Sequence, residues 1–443
     1  MNIVINAVAT ATISGTFTAC GSTVLTASTT ASSPVYVWYK DNVAITDATS
    51  STYSAIASGN YKVAITDQST LCSTTSAATG VTINSAPDAT ITASSGTVTY
   101  GSTTTYTAVT GMSTYSWAIT GDGTIASGAG TNQITVLATA ATNYNLNLTV
   151  TNSSGCQNSS ASVVYVSPVI LTAATTIANK VYDGSATTGS VTLGTISGLI
   201  GSETLTITPT AANYANANVG TSKATTISYA LANGSGGLAS NYSMPNLVSS
   251  GNITQKALTA VTTVASKQYD GLATAGTVTL GTVSGLVGSE SLTITPLASN
   301  YSNANVGTGK ATTISYALAN GSGLASNYSI ANLSTTGDIR AIMLTIATPT
   351  LTTTKTYNGT TTAVVSAGAL SGVLSAEAAN VIVNAAATYN DASVATGKTI
   401  TVVYTLSGSA ITNYTKPVNY TTTAGEIDPV APTGTASQSF CGN

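Results

Sequence analysis

The sequence contains no histidine among its 443 residues. This absence excludes Ser-His-Asp catalysis, Cys-His nucleophiles and histidine-ligated zinc. The four cysteines are too dispersed for a cysteine-based metal site, and the 14 acidic residues show neither a D-x-D cluster nor EF-hand spacing. We therefore expect no enzyme, no catalytic residues and no cofactor site.

Charge is also scarce, at 6% of residues against about 25% in an average soluble domain. The eleven Lys and Arg residues are scattered singly and the net charge is −3. Nucleic-acid binding needs clustered basic residues, so we expect no nucleic-acid partner. No segment reaches the roughly 18 consecutive apolar residues of a membrane helix, so we expect no membrane span.

Short alternating apolar runs make up much of what is present. Hydrophobic residues reach 43%, too many for a disordered chain, and the abundant Thr and Val favour strands. The stretch KATTISYALANGSG begins at Lys223, and KATTISYALANGSG recurs from Lys310. Its alternation places Ile227, Tyr229 and Leu231 on one strand face. The sequence predicts an all-β protein in which a domain-sized unit has been copied.

An Asn-Gly pair follows each copied strand, at Asn233–Gly234 and Asn320–Gly321. Both residue types tolerate positive φ, so we expect a tight turn of that kind at each pair.

The copied unit occurs three times from residue 169 onward. The first two copies share VYDG or QYDG, VTLGT, LTITP, NVG and SNYS, and the third has drifted to TYNG, SGVL, SVATGK and TNYT. Three sets of residues recur with it: Glu203, Glu290 and Glu377; Asp183, Asp270 and Asn358; Lys180, Lys267 and Lys355. Residues 169–428 thus resemble the YDG-type repeat domains of giant Bacteroidetes cell-surface adhesins.

That resemblance implies an extracellular, surface-located protein exported by type IX secretion and linked to adhesion or gliding motility. The implied partners are further modules of the same longer chain, surface polysaccharide or another substratum, and the secretion and motility machinery. The start MNIVINAVA lacks a basic signal-peptide region, so we interpret the sequence as an excerpt of such a chain.

The first module carries Cys20, Trp38 and Cys72, with PVYVWYK and GNYKVAIT as strands. This order resembles an immunoglobulin-like sandwich, and the resemblance implies a Cys20–Cys72 disulfide contributing about 4 kcal/mol. Cys72 lies beyond the strand that starts near Tyr61, a departure from antibody domains. The alternative for the pair is two free buried thiols.

The second module contains YSWAITGDGTI, NQITVLAT, NLNLTVTNSSGC and ASVVYV, and resembles PKD-like sandwiches with Trp117 in the core. Cys156 has no partner within it, and Cys441 is expected to pair beyond the sequence. We predict five tandem Ig-like sandwiches in an elongated rod, because the joints are short and two contain Pro. The predicted domains are 1–84, 85–168, 169–256, 257–342 and 343–428, followed by a truncated module at 429–443.

Asp183 and Asp270 are weak calcium candidates. The structural interpretation, which we favour, is a turn in which the carboxylate accepts nearby backbone N–H groups. Asn358 replaces the acid in the third copy, and no second acid is near in sequence, although calcium at a joint stays open.

The recurrent lysines suggest a second chemistry, an isopeptide bond from Lys180, Lys267 or Lys355 to Asn252, Asp338 or Glu426. A snorkelling surface lysine is the favoured alternative.

Tyrosine is the dominant aromatic residue, with 22 copies. Recurrent tyrosines either stack on sugars or, as we favour, fill thin sandwich cores with each hydroxyl bonded at the rim. The leading hypothesis is a non-catalytic stalk or adhesive segment. The alternative is a set of accessory or carbohydrate-binding modules of a secreted polysaccharide-degrading enzyme.

Overall fold

The computed structural model describes residues 5–434. Over this range the secondary structure consists of strands and four short 3₁₀ helices, which confirms the all-β class. The chain divides into two compact units. Unit 1 comprises Met1–Ile177, Val191–Ala212 and Thr226–Ser249, and unit 2 comprises Ala178–Ser190, Asn213–Thr225 and Ser250–Asn443. Cys441, for which we predicted a partner beyond the sequence, and most of the predicted truncated module lie outside the described residues.

The first module packs a three-stranded sheet, β1-β3-β6, against a sheet with the order β2-β9-β7-β4-β5 and β8 beside β7. Trp38 is fully buried in its core, and the indole Nε1 donates to the Ser50 carbonyl at 2.9 Å. The strands are β1 Ala11–Gly15, β2 Thr18–Cys20, β3 Thr23–Thr29, β4 Pro34–Lys40, β5 Val43–Ala44, β6 Thr52–Ala55, β7 Gly59–Asp67, β8 Ser73–Thr75 and β9 Thr79–Asn84.

The second module has sheets of order β10-β12-β15-β14 and β13-β16-β17, with a short parallel pair β11-β18. Its core includes Ile134, Leu146 and Leu148, and the predicted Trp117 packs against it half-buried. The strands are β10 Ile91–Ala93, β11 Val98–Thr99, β12 Thr103–Ala108, β13 Thr114–Gly121, β14 Gly123–Ser127, β15 Gln133–Ala138, β16 Tyr144–Thr151, β17 Gln157–Val164 and β18 Val166–Ser167.

Repeat 1, the first copy of the repeated unit (169–256), contributes to both units. In unit 1, β23 pairs with the second half of β24, and β20 pairs with β22. In unit 2, β21 pairs in parallel with the end of β26. The strands are β19 Val169–Ile170, β20 Thr172–Ile177, β21 Lys180–Val181, β22 Val191–Ser197, β23 Leu205–Ala211, β24 Gly220–Asn233, β25 Tyr242–Ser243 and β26 Leu247–Thr254, with a 3₁₀ helix at Ala239–Asn241.

Repeat 2 shows the whole sandwich within unit 2. One sheet has the order β28-β33-β31-β30 and the other the order β29-β27-β32. The strands are β27 Lys256–Val264, β28 Lys267–Gln268, β29 Val278–Ser284, β30 Leu292–Ala298, β31 Gly307–Asn320, β32 Tyr328–Ile330 and β33 Leu333–Arg340, with a 3₁₀ helix at Ala325–Asn327.

Repeat 3 keeps the long central hairpin in a five-stranded sheet, β37-β44-β42-β41-β38. The strands are β34 Ile342–Met343, β35 Thr345–Ile346, β36 Thr350–Leu351, β37 Thr354–Thr356, β38 Thr362–Ala363, β39 Val365–Ser366, β40 Leu370–Ser371, β41 Ile382–Tyr389, β42 Ala395–Ser407, β43 Tyr414–Thr415 and β44 Tyr420–Asp428, with 3₁₀ helices at Ser375–Asn380 and Ile411–Asn413.

The copied strand has the predicted alternation. Ile227 is fully buried and Tyr229 and Leu231 are half-buried, whereas the residues between them are exposed. The strands β24 and β31 are each 14 residues long.

The Asn-Gly turns were predicted wrongly, because none of the four residues has a positive φ. Asn233 ends β24, and its side-chain oxygen accepts the Ala239 N–H at 2.8 Å. A Cβ at Gly234 would lie 2.2 Å from the Thr204 carbonyl oxygen. Glycine is needed here for a close backbone approach.

The predicted Cys20–Cys72 disulfide is also wrong. Cys20 bonds to Cys156, with the two Cα atoms 5.5 Å apart, and Cys72 is a free, half-buried thiol. Cys20 pairs with Asn84 at the end of β9, whereas the Cys72 carbonyl accepts the N–H of Asp67 at the far end of β7. The nine residues of β7 span roughly 27 Å, far beyond the reach of a disulfide.

Candidate functional site: the joints between modules

The recurrent glutamates lie at the joints, where each accepts two tyrosine hydroxyls. Glu290 Oε1 accepts the hydroxyl of Tyr182 from repeat 1, and Glu290 Oε2 accepts that of Tyr328 from its own repeat, both at 2.6 Å. The two rings meet edge to face, with centroids 5.4 Å apart. This arrangement fixes the tip of repeat 1 on repeat 2 through charge-assisted hydrogen bonds and ring packing.

The same geometry recurs one repeat later. Glu377 accepts the hydroxyls of Tyr269 and Tyr414 at 2.6 Å each, and these rings are 5.8 Å apart and edge to face. The spacing from tyrosine to glutamate is 108 residues at both joints. Copying one repeat therefore reproduces one half of a joint at each end.

The second module forms this joint with repeat 1, within unit 1. Tyr100 and Tyr242 donate to the two carboxylate oxygens of Glu203 at 2.5 and 2.6 Å. Their rings are 5.6 Å apart and edge to face. Sequence reasoning missed Tyr100, because the PKD-like module carries only Tyr-Gly where the repeats carry Tyr-Asp-Gly or Tyr-Asn-Gly. That dipeptide was the available signal.

The module that supplies the glutamate of a joint also supplies one of its two tyrosines, which we call the inner tyrosine. An asparagine directly before the inner tyrosine adds a second hydrogen bond across each joint. Asn327 Oδ1 accepts the Val219 N–H at 2.9 Å, and Asn413 Oδ1 accepts the Val306 N–H at 3.0 Å. In unit 1, Asn241 Oδ1 accepts the Ala141 N–H at 2.9 Å. The three asparagines are at least 96% buried. Each therefore supplies a hydrogen-bond acceptor to a backbone N–H at a place that is shielded from water.

The glutamate sits in a short turn that also positions the inner tyrosine. The Glu290 N–H donates to the Val287 carbonyl at 3.0 Å, and the Val287 N–H donates to the Tyr328 hydroxyl at 3.0 Å. The Tyr328 hydroxyl is thus donor to the carboxylate and acceptor from the backbone. Burial, followed by the hydrogen bond to Glu290, raises the pKa of Tyr328 to about 12.

Apolar residues surround these polar contacts. Tyr182, Ile253, Leu258 and Tyr328 share one buried cluster between repeats 1 and 2, and an equivalent cluster at the next joint contains Tyr269. The tyrosines within the joints are therefore core residues, as favoured, and the partner of each hydroxyl is a carboxylate.

The lysine and aspartate of each Tyr-Asp-Gly turn bond to each other. Lys267 Nζ donates to Asp270 Oδ1 at 2.7 Å and to the Leu272 carbonyl at 2.8 Å, and Asp270 Oδ1 accepts the Leu272 N–H at 2.9 Å. In repeat 1, Lys180 Nζ lies 2.8 Å from Asp183 Oδ1. Lys267 lowers the pKa of Asp270, as Lys180 lowers that of Asp183.

These contacts are the ones that the turn interpretation of Asp183 and Asp270 requires. Within residues 5–434, no group of three or more acidic or cysteine residues is arranged to hold a metal ion. The isopeptide candidates have other partners: Asn252 Oδ1 accepts the Ser222 N–H, and Asp338 Oδ1 accepts the Gly309 N–H.

The first two modules are joined differently. The Cys20–Cys156 disulfide links the end of β2 to the β16–β17 turn, and Cys156 is fully buried. Beside it, Asn152 Nδ2 donates to the Ser85 carbonyl at 3.0 Å and Asn158 Nδ2 to the Pro87 carbonyl at 2.8 Å. This joint is covalent.

Comparison with solved structures gives distant matches. Among solved structures, the three N-terminal domains of the bacteriophage RB49 Hoc protein match 56% of this chain and 100% of that chain, at 14% identity and a TM-score of 0.22. Fibronectin(III)-like modules of Clostridium thermocellum CbhA match 36% of this chain and 94% of that chain, at 14% identity and a TM-score of 0.21. Sidekick-1 immunoglobulin domains 1–5 match 94% of this chain and 99% of that chain, at 10% identity and a TM-score of 0.18. Such distant matches say nothing of function.

A search of curated proteins gives no match. No helix within residues 5–434 is long and apolar enough to cross a membrane. The chain is an all-β row of tandem Ig-like domains, a type of module that is typically non-catalytic. The PKD-like domain family matches residues 84–166, and the YDG domain family matches residues 167–249, 254–336 and 341–424. Because the YDG matches cover more than half of the sequence, the chain belongs to the YDG domain family.

Proposed function

We propose that this chain is a non-catalytic stalk segment of a large, repetitive, secreted surface adhesin of the Bacteroidetes type. The repeated tyrosine–glutamate joint carries the proposal. Each repeat presents a tyrosine at one end and a glutamate with an Asn-Tyr pair at the other. Such a unit can be extended by copying, which suits a protein that holds an adhesive part away from the cell.

The disulfide supports an extracellular location, because disulfides persist in oxidising environments. In this proposal the parent protein is exported by type IX secretion and serves surface attachment or gliding motility. Its partners are further modules of the same chain, the secretion and motility machinery, and a surface polysaccharide or other substratum.

A distance measurement between spin labels tests the stalk function. The labels are placed by Val261→Cys in repeat 2 and Val364→Cys in repeat 3, both exposed, in a background that carries Cys72→Ser and Cys441→Ser. We expect a narrow distance distribution that Glu377→Ala broadens. Glu426→Ala, on the last strand and outside the joints, is the matched control. A broad distribution in the unaltered chain would contradict a stalk.

A second candidate function, carbohydrate binding by an accessory module of a polysaccharide-degrading enzyme, is favoured by one surface feature. Tyr165 in the second module is 73% exposed and borders a cleft of about 240 Å³ that Tyr106 also lines. An exposed ring of this kind can stack on a sugar.

A pull-down of the purified chain on insoluble polysaccharides and on a hydrophobic surface, with and without a calcium chelator, separates the two candidates. Saturable binding that Tyr165→Ala abolishes would favour the carbohydrate-binding module. Chelator-sensitive binding would restore calcium at Asp183 and Asp270. No binding from the folded chain is the result expected of a stalk.

A further inference from the structure

The Tyr-Asn-Gly turn at the tip of repeat 3 makes the same backbone hydrogen bond as the Tyr-Asp-Gly turns that dock in the joints. The Tyr357 N–H donates to the carbonyl of Asp428, the last residue of β44, at 2.8 Å. The Tyr269 N–H donates to the Arg340 carbonyl at the end of β33 in the same way, at 2.9 Å. Lys355 Nζ holds the following turn through Asn358 Oδ1 at 3.0 Å. Repeat 3 therefore presents Tyr357 as repeats 1 and 2 present their docked tyrosines.

Tyr357 is nevertheless uncovered. It is 44% exposed, whereas Tyr182 and Tyr269 are each 5% exposed. A Cβ on Gly271 would lie 3.3 Å from Leu374 Cδ1 of the next repeat, but a Cβ on Gly359 would meet no atom of residues 5–434 within 4 Å.

The position whose N–H donates to the asparagine in the other joints is exposed as well. Val394 occupies the place of Val219 and Val306 in the loop after the long hairpin's first strand, and it is 48% exposed. The N–H groups of Val219 and Val306 donate to an asparagine of the next repeat. Tyr357, Gly359 and Val394 together form what we call the open tip.

We propose that the open tip binds a further module of the YDG type through that module's glutamate and Asn-Tyr pair. This inference rests on the proposed stalk function and names the partner of its exposed end. The glutamate accepts the Tyr357 hydroxyl, the asparagine accepts the Val394 N–H, and an aliphatic residue three positions before the glutamate covers Gly359. That aliphatic residue is Ile200, Val287 or Leu374 in the three joints present.

The glutamate of the partner is not one of the three joint glutamates among residues 5–434. Glu203, Glu290 and Glu377 already bind tyrosines, so among the described residues a second copy of the chain offers no free glutamate of this kind. Residues 429–443 contain neither glutamate nor tyrosine. The occupant must bring its own glutamate and Asn-Tyr pair.

The test adds such a module in place of residues 429–443. A copy of residues 255–340 is fused after Asp428, so that peptides containing Tyr357 and Val394 remain unique for mass spectrometry. We expect hydrogen exchange at the Val394 N–H to slow by at least about tenfold, and hydroxyl-radical modification of Tyr357 to fall to the level of Tyr182.

Two controls address the chemistry. Glu290→Ala with Asn327→Ala, in the appended copy only, should leave Tyr357 and Val394 as exposed as in the unfused chain. Tyr357→Ala alters an exposed residue and should restore fast exchange at Val394 in the fusion with the intact copy.

Continued exposure of Tyr357 and Val394 beside a folded copy, as judged by circular dichroism, would overturn the proposal. Protection that survives the double substitution would overturn the assigned chemistry. Neither result bears on the spin-label distances in the unfused chain, so a failure here is distinguishable from a failure of the stalk function.

Discussion

The joint between the first two modules and the joints between the repeats achieve similar ends by different chemistry. The first uses the Cys20–Cys156 disulfide, which needs one cysteine at a defined place in each of two different modules. The others use a tyrosine from one module and a glutamate from the next, both of which a single repeat carries. A row of repeats can therefore grow by duplication, whereas the covalent joint belongs to one position in the chain.

Removing the disulfide should have the largest effect on this comparison. Its 136-residue separation gives a chain-entropy contribution of about 5 kcal/mol to the stability of unit 1. We expect Cys20→Ser, or reduction, to lower the free energy of unfolding of the first two modules by about that amount in urea titrations. Cys72→Ser should have little effect. An equal loss from Cys72→Ser would contradict the pairing.

Glu290→Ala should have the next largest effect. It removes the acceptor of two hydrogen bonds to buried tyrosines, and a hydrogen bond to a charged group contributes about 1.5–3 kcal/mol, so we expect a loss of about 3–6 kcal/mol at that joint. Native-state hydrogen exchange at Val219 measures it. Exchange in the first module should be unchanged, and a loss there as well would contradict the independence of the joints.

Alkaline pH should separate the two kinds of joint. Burial and a glutamate partner raise the pKa of Tyr242, Tyr269 and Tyr328 to about 12, from about 10 in the unfolded chain. The folded protein therefore keeps these tyrosines protonated up to a higher pH than the unfolded chain does. The contribution of the protonated tyrosines to stability is complete below pH 10 and is lost as pH rises through 12. Thermal unfolding between pH 9 and 12 should show repeats 2 and 3 losing stability in this window, and Tyr328→Phe should reduce the pH dependence.

The smallest effect concerns the turn that holds each docking tyrosine. Lys267→Met breaks the ion pair with Asp270, in which the lysine side chain is 12% exposed, so we expect a loss of about 1 kcal/mol and a shift of the Tyr269 ring resonances by NMR. Asp270→Asn reproduces the lysine–asparagine pair of repeat 3 and should cost less. An equal loss of stability from both substitutions would mean that the turn is stabilised by the charge of Asp270.

Much of the fold followed from local pattern. The alternation of Ile227, Tyr229 and Leu231 predicted a strand and its buried face, because side chains alternate across a strand whatever lies beyond it. The recurrence of Glu203, Glu290 and Glu377 marked the glutamates as important without showing their partners. One of the two tyrosine partners of each glutamate lies more than 100 residues away in the sequence, beyond the range of any local pattern.

By itself, the sequence determined the all-β class, the repeated unit and the absence of histidine chemistry, since these depend only on composition, period and copy number. Only the tertiary structure decided the partner of Cys20 and the role of the joint tyrosines. A disulfide depends on Cα atoms that meet within about 7 Å, and Cys72 lies at the far end of a nine-residue strand. A carboxylate between two tyrosines depends likewise on how two modules meet, and that contact is set by packing across the joint.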